Sequence, residues 1–170
     1  MASKQKRYEA LVHALHGDIF RYAYWLVKDK AVAEDIVQET FLRAWKSLDS
    51  LKDENAAKSW LITILRRENA RRFERKQFDL VDMDDVVLAD DIHTNEQQLE
   101  HRELHHLIAG LADEYREPLL LQAIFGLSGD EISIQLGLNK NTVMTRLFRA
   151  RNQLKEALEQ PNERRGSKNG

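Results

Sequence analysis

Apolar positions along this chain recur at helical spacing almost from the start. Leu11, Leu15, Ile19 and Tyr22 or Ala23 stand three or four residues apart, the period that lines up one face of an α-helix. The segment KDKAV breaks into a second helix, AVAEDIVQETFLRAWKSL. There Val32, Ile36, Thr40 and Ala44 interleave with Val37, Phe41 and Leu48 to give a broad buried stripe. Polar DSLKDENAAK separates it from SWLITILRRENARRFERK, in which Trp60, Leu61, Ile64, Leu65 and Phe73 are expected to pack inward while the arginines come out. From Phe78 to about Asn95 the helical period is lost. It returns near Glu96 and continues through Leu104, Leu107, Ile108 and Leu111. ADEYREPLLLQAIFG follows, with Pro118 tolerable near that helix's first turn.

The last third carries the strongest local signal, SGDEISIQLGLNKNTVMTRLFRARNQL. Ile132 and Leu136 share one side of a short helix, Gly137 follows where a left-handed residue must end it, and Leu138 re-enters the core. Asn139 stands where the next helix needs an N-cap acceptor. Along that helix Val143, Leu147, Ala150 and Leu154 form an apolar stripe. Turning away from it brings up Thr142, Thr145, Phe148, Arg149 and Asn152. These are hydroxyl and amide groups, a guanidinium and an aromatic edge suited to a DNA groove. No acid interrupts Lys140 to Asn152, while Lys140, Arg146, Arg149 and Arg151 are basic. The pattern is that of a helix-turn-helix with a recognition helix.

Composition narrows the class. A chain of 170 residues that is 42% hydrophobic can hold one domain or two small ones. Only two prolines and seven glycines let long helices run unbroken. The absence of cysteine excludes disulfides and thiolate metal sites and fits a reducing cytoplasm. MASKQKRYEA lacks the apolar core of a signal peptide, and no apolar run approaches membrane-spanning length, so a cytoplasmic protein without membrane insertion is expected. A formal charge of −2 is poor for a protein that holds DNA alone, but the charge is blocked. Arg66, Arg67, Arg71, Arg72, Arg75 and Lys76 cluster, and Asp79, Asp82, Asp84, Asp85, Asp90 and Asp91 follow with no basic residue between them. That arrangement points to internal masking or to a large partner that supplies the remaining affinity.

The expected fold is all-α: two small helical domains joined by an acidic flexible linker, the C-terminal one a helix-turn-helix. The expected boundaries are 5–76 for the first domain, 77–95 for the linker, 96–159 for the second domain and 160–170 for a disordered tail.

AEDIVQETFLRAW and SWLITILRR, then an acidic linker, then LSGDEISIQLGLNKNTVMTRLFRAR, together resemble an extracytoplasmic-function sigma factor of bacterial RNA polymerase. The resemblance covers about residues 10 to 158. It implies that the first domain corresponds to region 2, which grips the clamp helices of the polymerase largest subunit and melts the −10 element. The polymerase-facing edge would hold Asp35, Gln38, Glu39, Leu42 and Arg43, although Glu39 and Arg43 also suit a plain i,i+4 pair on a solvated face. Asp49 to Lys58 would match the loop that accepts a flipped −10 base. Lys58, Arg66, Arg67, Arg71, Arg72 and Arg75 would bind DNA around it. In region 4, Lys140, Asn141, Thr142, Met144, Thr145, Phe148 and Arg149 would contact the −35 element, the first three at a helix N-terminus that favours phosphate. The acidic linker would thread the RNA exit path, although its composition also suits a plain solvated linker. Core polymerase (clamp helices and flap region), promoter DNA and an anti-sigma factor are the partners implied, with no small-molecule substrate. Many relatives carry Asn at the place of Arg67, Asp or Asn at Arg71, and a basic residue at Met144. These departures leave the preferred promoter sequence open.

Other chemistry is sparse. His101 and His105 stand i,i+4 with His106 beside them, but no further ligand is evident, and surface histidines are the expectation. No phosphate-binding glycine loop, nucleophile–base pair or paired carboxylates stand out, so neither cofactor nor enzymatic activity is expected. The helix-turn-helix alone also suits the C-terminal domain of a response regulator, a self-sufficient dimeric regulator, or a protein-interaction adaptor. Two separated basic surfaces favour a subunit that meets two promoter elements, and no long apolar heptad supports a dimer.

Overall fold

The computed structural model describes residues 3–78 and 96–166, with side chains for 3–76 and 99–160. Every regular element among the described residues is helical, and the chain divides into two compact units, Met1–Ala89 and Asp90–Gly170. The acidic stretch expected as a linker lies outside the described residues, apart from the two that complete the third helix.

The first unit packs three long helices, α1 (Lys4–Val27), α2 (Lys30–Ser47) and α3 (Ala57–Phe78). Lys28 takes a left-handed conformation (φ 56°) to end α1, and the carboxylate of Asp29 accepts from Val32 N–H at 3.1 Å to begin α2. One turn therefore reverses the chain within three residues. Leu11, Leu15, Ile19, Tyr22 and Ala23 of α1 meet Ala33, Ile36, Val37, Phe41 and Ala44 of α2, all buried. Thr40 is also fully buried; its hydroxyl donates to the Ile36 carbonyl at 2.7 Å, so the stripe holds no unpaired hydroxyl. α3 closes the core with Leu61, Ile62 and Leu65. Phe73, expected in this core from its spacing, is instead 63% exposed. From Ala70 through Lys76 no residue of α3 is buried, so among the described residues the apolar ring has no core to enter.

The second unit holds α4 (Glu96–Ala109), α5 (Asp113–Phe125), α6 (Gly129–Leu136) and α7 (Lys140–Gly166). Its core joins Leu119, Leu120, Leu121 and Phe125 of α5 to Ile132 of α6 and to Val143, Leu147 and Ala150 of α7. Arg116 ties the α4–α5 corner, donating to the carbonyls of Ala109 (3.0 Å) and Leu111 (2.8 Å). α5 starts at Asp113, which puts Pro118 in its second turn rather than its first. The Glu114 carbonyl that loses its N–H partner belongs to an exposed residue and can be hydrated. α7 continues to Gly166, so residues 160–166, expected within a disordered tail, are helical. Pro161 gives up one backbone hydrogen bond and crowds the carbonyl four residues earlier, yet the helical path continues past it.

Candidate nucleic-acid interface

Capping contacts specify both the start of α6 and the turn into α7. Ser128 and Glu131 form a reciprocal capping box, the Ser128 amide donating to the Glu131 carboxylate at 3.0 Å and the Glu131 amide to the Ser128 hydroxyl at 3.2 Å. Gly137 ends α6 at φ 64°, and Leu138 N–H donates to the Ser133 carbonyl at 3.0 Å. The Asn139 side chain then accepts from the amides of Asn141 (2.7 Å) and Thr142 (3.3 Å), starting α7. With Val143, Leu147 and Ala150 facing inward, helical period alone turns Asn141, Met144, Thr145, Phe148 and Arg149 outward, and all five are exposed. Thr142, Thr145, Arg146 and Arg149 share a shallow concavity with Glu114 and Tyr115 of α5.

Two basic residues of α7 are partly engaged within the unit. Lys140 Nζ lies 3.4 Å from Asp130 of α6, a weak exposed pair, and Arg151 donates to the side chain of Gln122. Gly129 is a further contributor. A Cβ there would stand 2.8 Å from the Met144 sulfur, so the glycine makes room for the position Met144 takes.

In the first unit, Asp35, Gln38 and Leu42 are exposed along one face of α2, with Glu39 and Arg43 half-buried beside them. Leu42, at 55% exposure, is the apolar member of an otherwise polar stripe. On α3, Arg67, Arg71 and Arg75 repeat every fourth residue and are exposed, as is Lys58 at the helix start. Arg66 and Arg72 are less exposed than these four. Arg66 is half-buried and donates to the fully buried Tyr22 hydroxyl at 3.0 Å, and the buried Arg72 Nε has no hydrogen-bond partner. The six cations grouped by sequence are therefore not equally exposed. The segment from Asp49 to Lys58 holds two short 3-10 turns, Leu48–Ser50 and Glu54–Ala56, around the buried Leu51. Arg7 of α1 anchors it, donating to the Leu51 carbonyl and to the Glu54 carboxylate, each at 2.9 Å, and leaves Lys52 to Ala56 exposed.

The α2 and α3 faces meet. Arg43, Lys46, Arg67, Glu68 and Arg71 line one open groove between the helices, with four cations to a single acid. Asp35, Glu39, Arg43, Glu68, Arg71, Arg72 and Arg75 line a second, adjoining one. Glu68 belongs to both, and sequence reasoning missed it. Its signal was present: it falls seven residues after Leu61 and three after Leu65, in register with the apolar stripe of α3. Among the described residues no group of three or more His, Cys, Asp or Glu side chains is placed to hold a metal ion.

Residues 11–78 match the family Sigma-70 region 2, and residues 101–154 match Sigma-70, region 4. The chain is 35% identical over 133 residues to the RNA polymerase sigma factor SigV of Bacillus subtilis, a match that spans 78% of this chain and 80% of that relative. It is 31% identical over 164 residues to the ECF RNA polymerase sigma factor SigL of Mycobacterium tuberculosis, covering 89% and 90% of the two. Among solved structures, the sigma factor RpoE in complex with the anti-sigma factor NepR from Bartonella quintana aligns with a TM-score of 0.69 at 26% identity, over 91% of this chain and 98% of that one. CnrH, solved in complex with the cytosolic domain of CnrY, aligns at 0.65 with 25% identity, over 91% and 89%. A region 2 domain followed by a region 4 domain defines a promoter-recognition subunit of RNA polymerase. The chain belongs to the extracytoplasmic-function sigma factors, and its function is to direct transcription initiation at promoters. Proteins of this family are not enzymes in the catalytic sense. Among the described residues no helix is long and apolar enough to cross a membrane.

Proposed function

We propose that the two units divide promoter recognition as their exposed faces suggest. In the second unit, Asn141, Thr142, Met144, Thr145, Phe148 and Arg149 of α7 enter the major groove at the −35 element, and Lys140 holds a phosphate at the helix start. The observation that carries this reading is the face itself. It combines hydroxyl, amide, guanidinium and aromatic groups, all outside a helix whose opposite side is fully buried. In the first unit, Arg67, Arg71 and Arg75 follow the DNA backbone around the −10 element, with Lys58 beside the Asp49–Lys58 loop that receives the extruded base. Arg66 and Arg72 support α3 from its flanks. Asp35, Gln38, Glu39, Leu42 and Arg43 of α2 seat on the polymerase clamp helices, with Leu42 as the apolar anchor inside a charged rim.

This division makes the protein dependent on polymerase. Its formal charge of −2 gives little free affinity for a polyanion, and the polymerase supplies the rest. The protein acts in the cytoplasm, has no catalytic activity of its own, and is held inactive by an anti-sigma factor. The anti-sigma complex of its structural relative RpoE supports that last reading.

Purified core polymerase transcribing promoter templates with and without the protein tests the whole assignment. Initiation at discrete promoters only when both are present, lost on Asp35→Arg or Arg149→Glu, is the expected result. No stimulation of polymerase, together with tight duplex binding by the protein alone, would establish a self-sufficient regulator instead.

A further inference from the structure

Glu68 is 9% exposed, and it and Thr40 are the buried polar residues among those described. A carboxylate taken this far from water needs cationic partners to remain charged at modest cost. It has two. Arg71 Nη1, three residues on, donates to its Oε1 at 3.4 Å, and Arg43 of α2 brings its guanidinium against the same oxygen. Arg43 is also 3.3 Å from Glu39 on its own helix. The charges therefore form one chain, Glu39–Arg43–Glu68–Arg71, running from the outer face of α2 to the outer face of α3. Arg43 and Arg71 side chains remain 39% and 51% exposed, so part of each is open to a partner, while Arg43 Nε itself is buried without a hydrogen-bond partner.

We propose that Glu68 is a positioning residue that couples the polymerase-binding and DNA-binding faces of the first unit. The proposal rests on assigning α2 to polymerase and α3 to DNA. Because one oxygen serves both arginines, the hold on each depends on what the other is doing. When a DNA phosphate draws Arg71 outward, Glu68 is left to Arg43 alone, and the reverse follows when polymerase engages Arg43. Residues in one ion-pair network change each other's measured effects in this way, whereas residues on independent faces do not. Such coupling is reciprocal, so a substitution on either face is felt on the other.

The test uses the full-length protein and purified core polymerase in the absence of DNA. Arg71→Ala, a residue assigned to DNA, is expected to weaken core binding about three- to tenfold, because the Glu68 charge then draws Arg43 inward. In the Glu68→Gln background, which keeps the shape and removes the charge, the same Arg71→Ala substitution is expected to leave core affinity unchanged. Lys6→Ala, an exposed cation of α1 that lines neither groove, serves as the control and is expected to have no effect on core binding. An Arg71→Ala protein that binds core as tightly as the native one overturns the coupling, whether or not the Glu68 variant folds. So does an effect of Arg71→Ala that persists undiminished in the Glu68→Gln background. If the native protein does not bind core polymerase at all, it is the assignment of α2 that fails, an outcome distinct from the first two.

Discussion

The two units present their cations in opposite ways. On α7 the groove-facing side chains Thr145, Phe148 and Arg149 stand out from a helix whose other side is fully packed, and their placement follows from helical period and caps within a stretch of about two dozen residues. On α3 the arginines are sorted by tertiary contacts. Arg66 is committed to Tyr22, forty-four residues earlier in the chain, while Arg71 shares Glu68 with Arg43, and only Arg67 and Arg75 are placed by period alone. One surface is local and reads like a list of contacts. The other is a network in which the effect of a residue depends on its neighbours. Substitutions in the second unit should therefore be separable, and those around Glu68 should not.

The largest effect should come from the core that fixes α3. Ile62 is fully buried whereas Phe73 is 63% exposed, so Ile62→Ala should destabilise the first unit by about 2–5 kcal/mol and Phe73→Ala by no more than about 0.5 kcal/mol. Denaturant unfolding of the two variants decides this, and equal losses would mean that Phe73 is packed after all. Next in size is the recognition helix. Arg149→Ala should cost about 1–3 kcal/mol of promoter binding by the polymerase complex, with thermal stability unchanged, as compared in binding titrations and melting curves. Gly137→Ala, at φ 64°, should lower the stability of the second unit by roughly 1–2 kcal/mol, because a Cβ is strained in that conformation even though nothing crowds it. Breaking the capping box with Ser128→Ala should cost about 1 kcal/mol, seen as a lower melting temperature of the second unit while the first is unaffected.

The smallest effect concerns pH. Tyr8 donates to the Phe41 carbonyl at 3.0 Å and sets its ring edge-on to Trp45, with centroids 5.1 Å apart, and burial holds its phenol above the usual tyrosine value. The folded state thus keeps this proton to higher pH than the unfolded chain does. Its contribution is complete below the unfolded value of about 10 and is lost as pH rises through the folded one. Unfolding measured between neutral and strongly alkaline pH should show this decline, and Tyr8→Phe should flatten it.

How much of this was legible beforehand follows the same divide. The helix-turn-helix could be read because each of its signals acts over a few residues. Gly137, Asn139 and the Val143–Leu147–Ala150 stripe all sit as their chemistry requires, and even the overlooked capping box is written as Ser128 followed three residues later by Glu131. The α3 side was less legible. Periodicity says which residues share a face but not where the core ends along it, so Phe73 was expected inside although its ring is exposed among the described residues. Glu68 went unnoticed because a carboxylate on an apolar stripe makes sense only when Arg43 of another helix is known to stand opposite. Helix propagation past Pro161 runs against the local signal, since a proline inside a helix disfavours it.

The most direct test of the account is initiation by reconstituted polymerase on paired templates, one with its −35 element intact and one with that element replaced, using the native protein and Arg149→Ala. The native protein should initiate far better on the intact template. The variant should initiate weakly on both and no longer tell them apart. A variant that discriminates between the templates as the native protein does would contradict the assignment of α7 to the −35 element, and with it the division of promoter recognition between the two units.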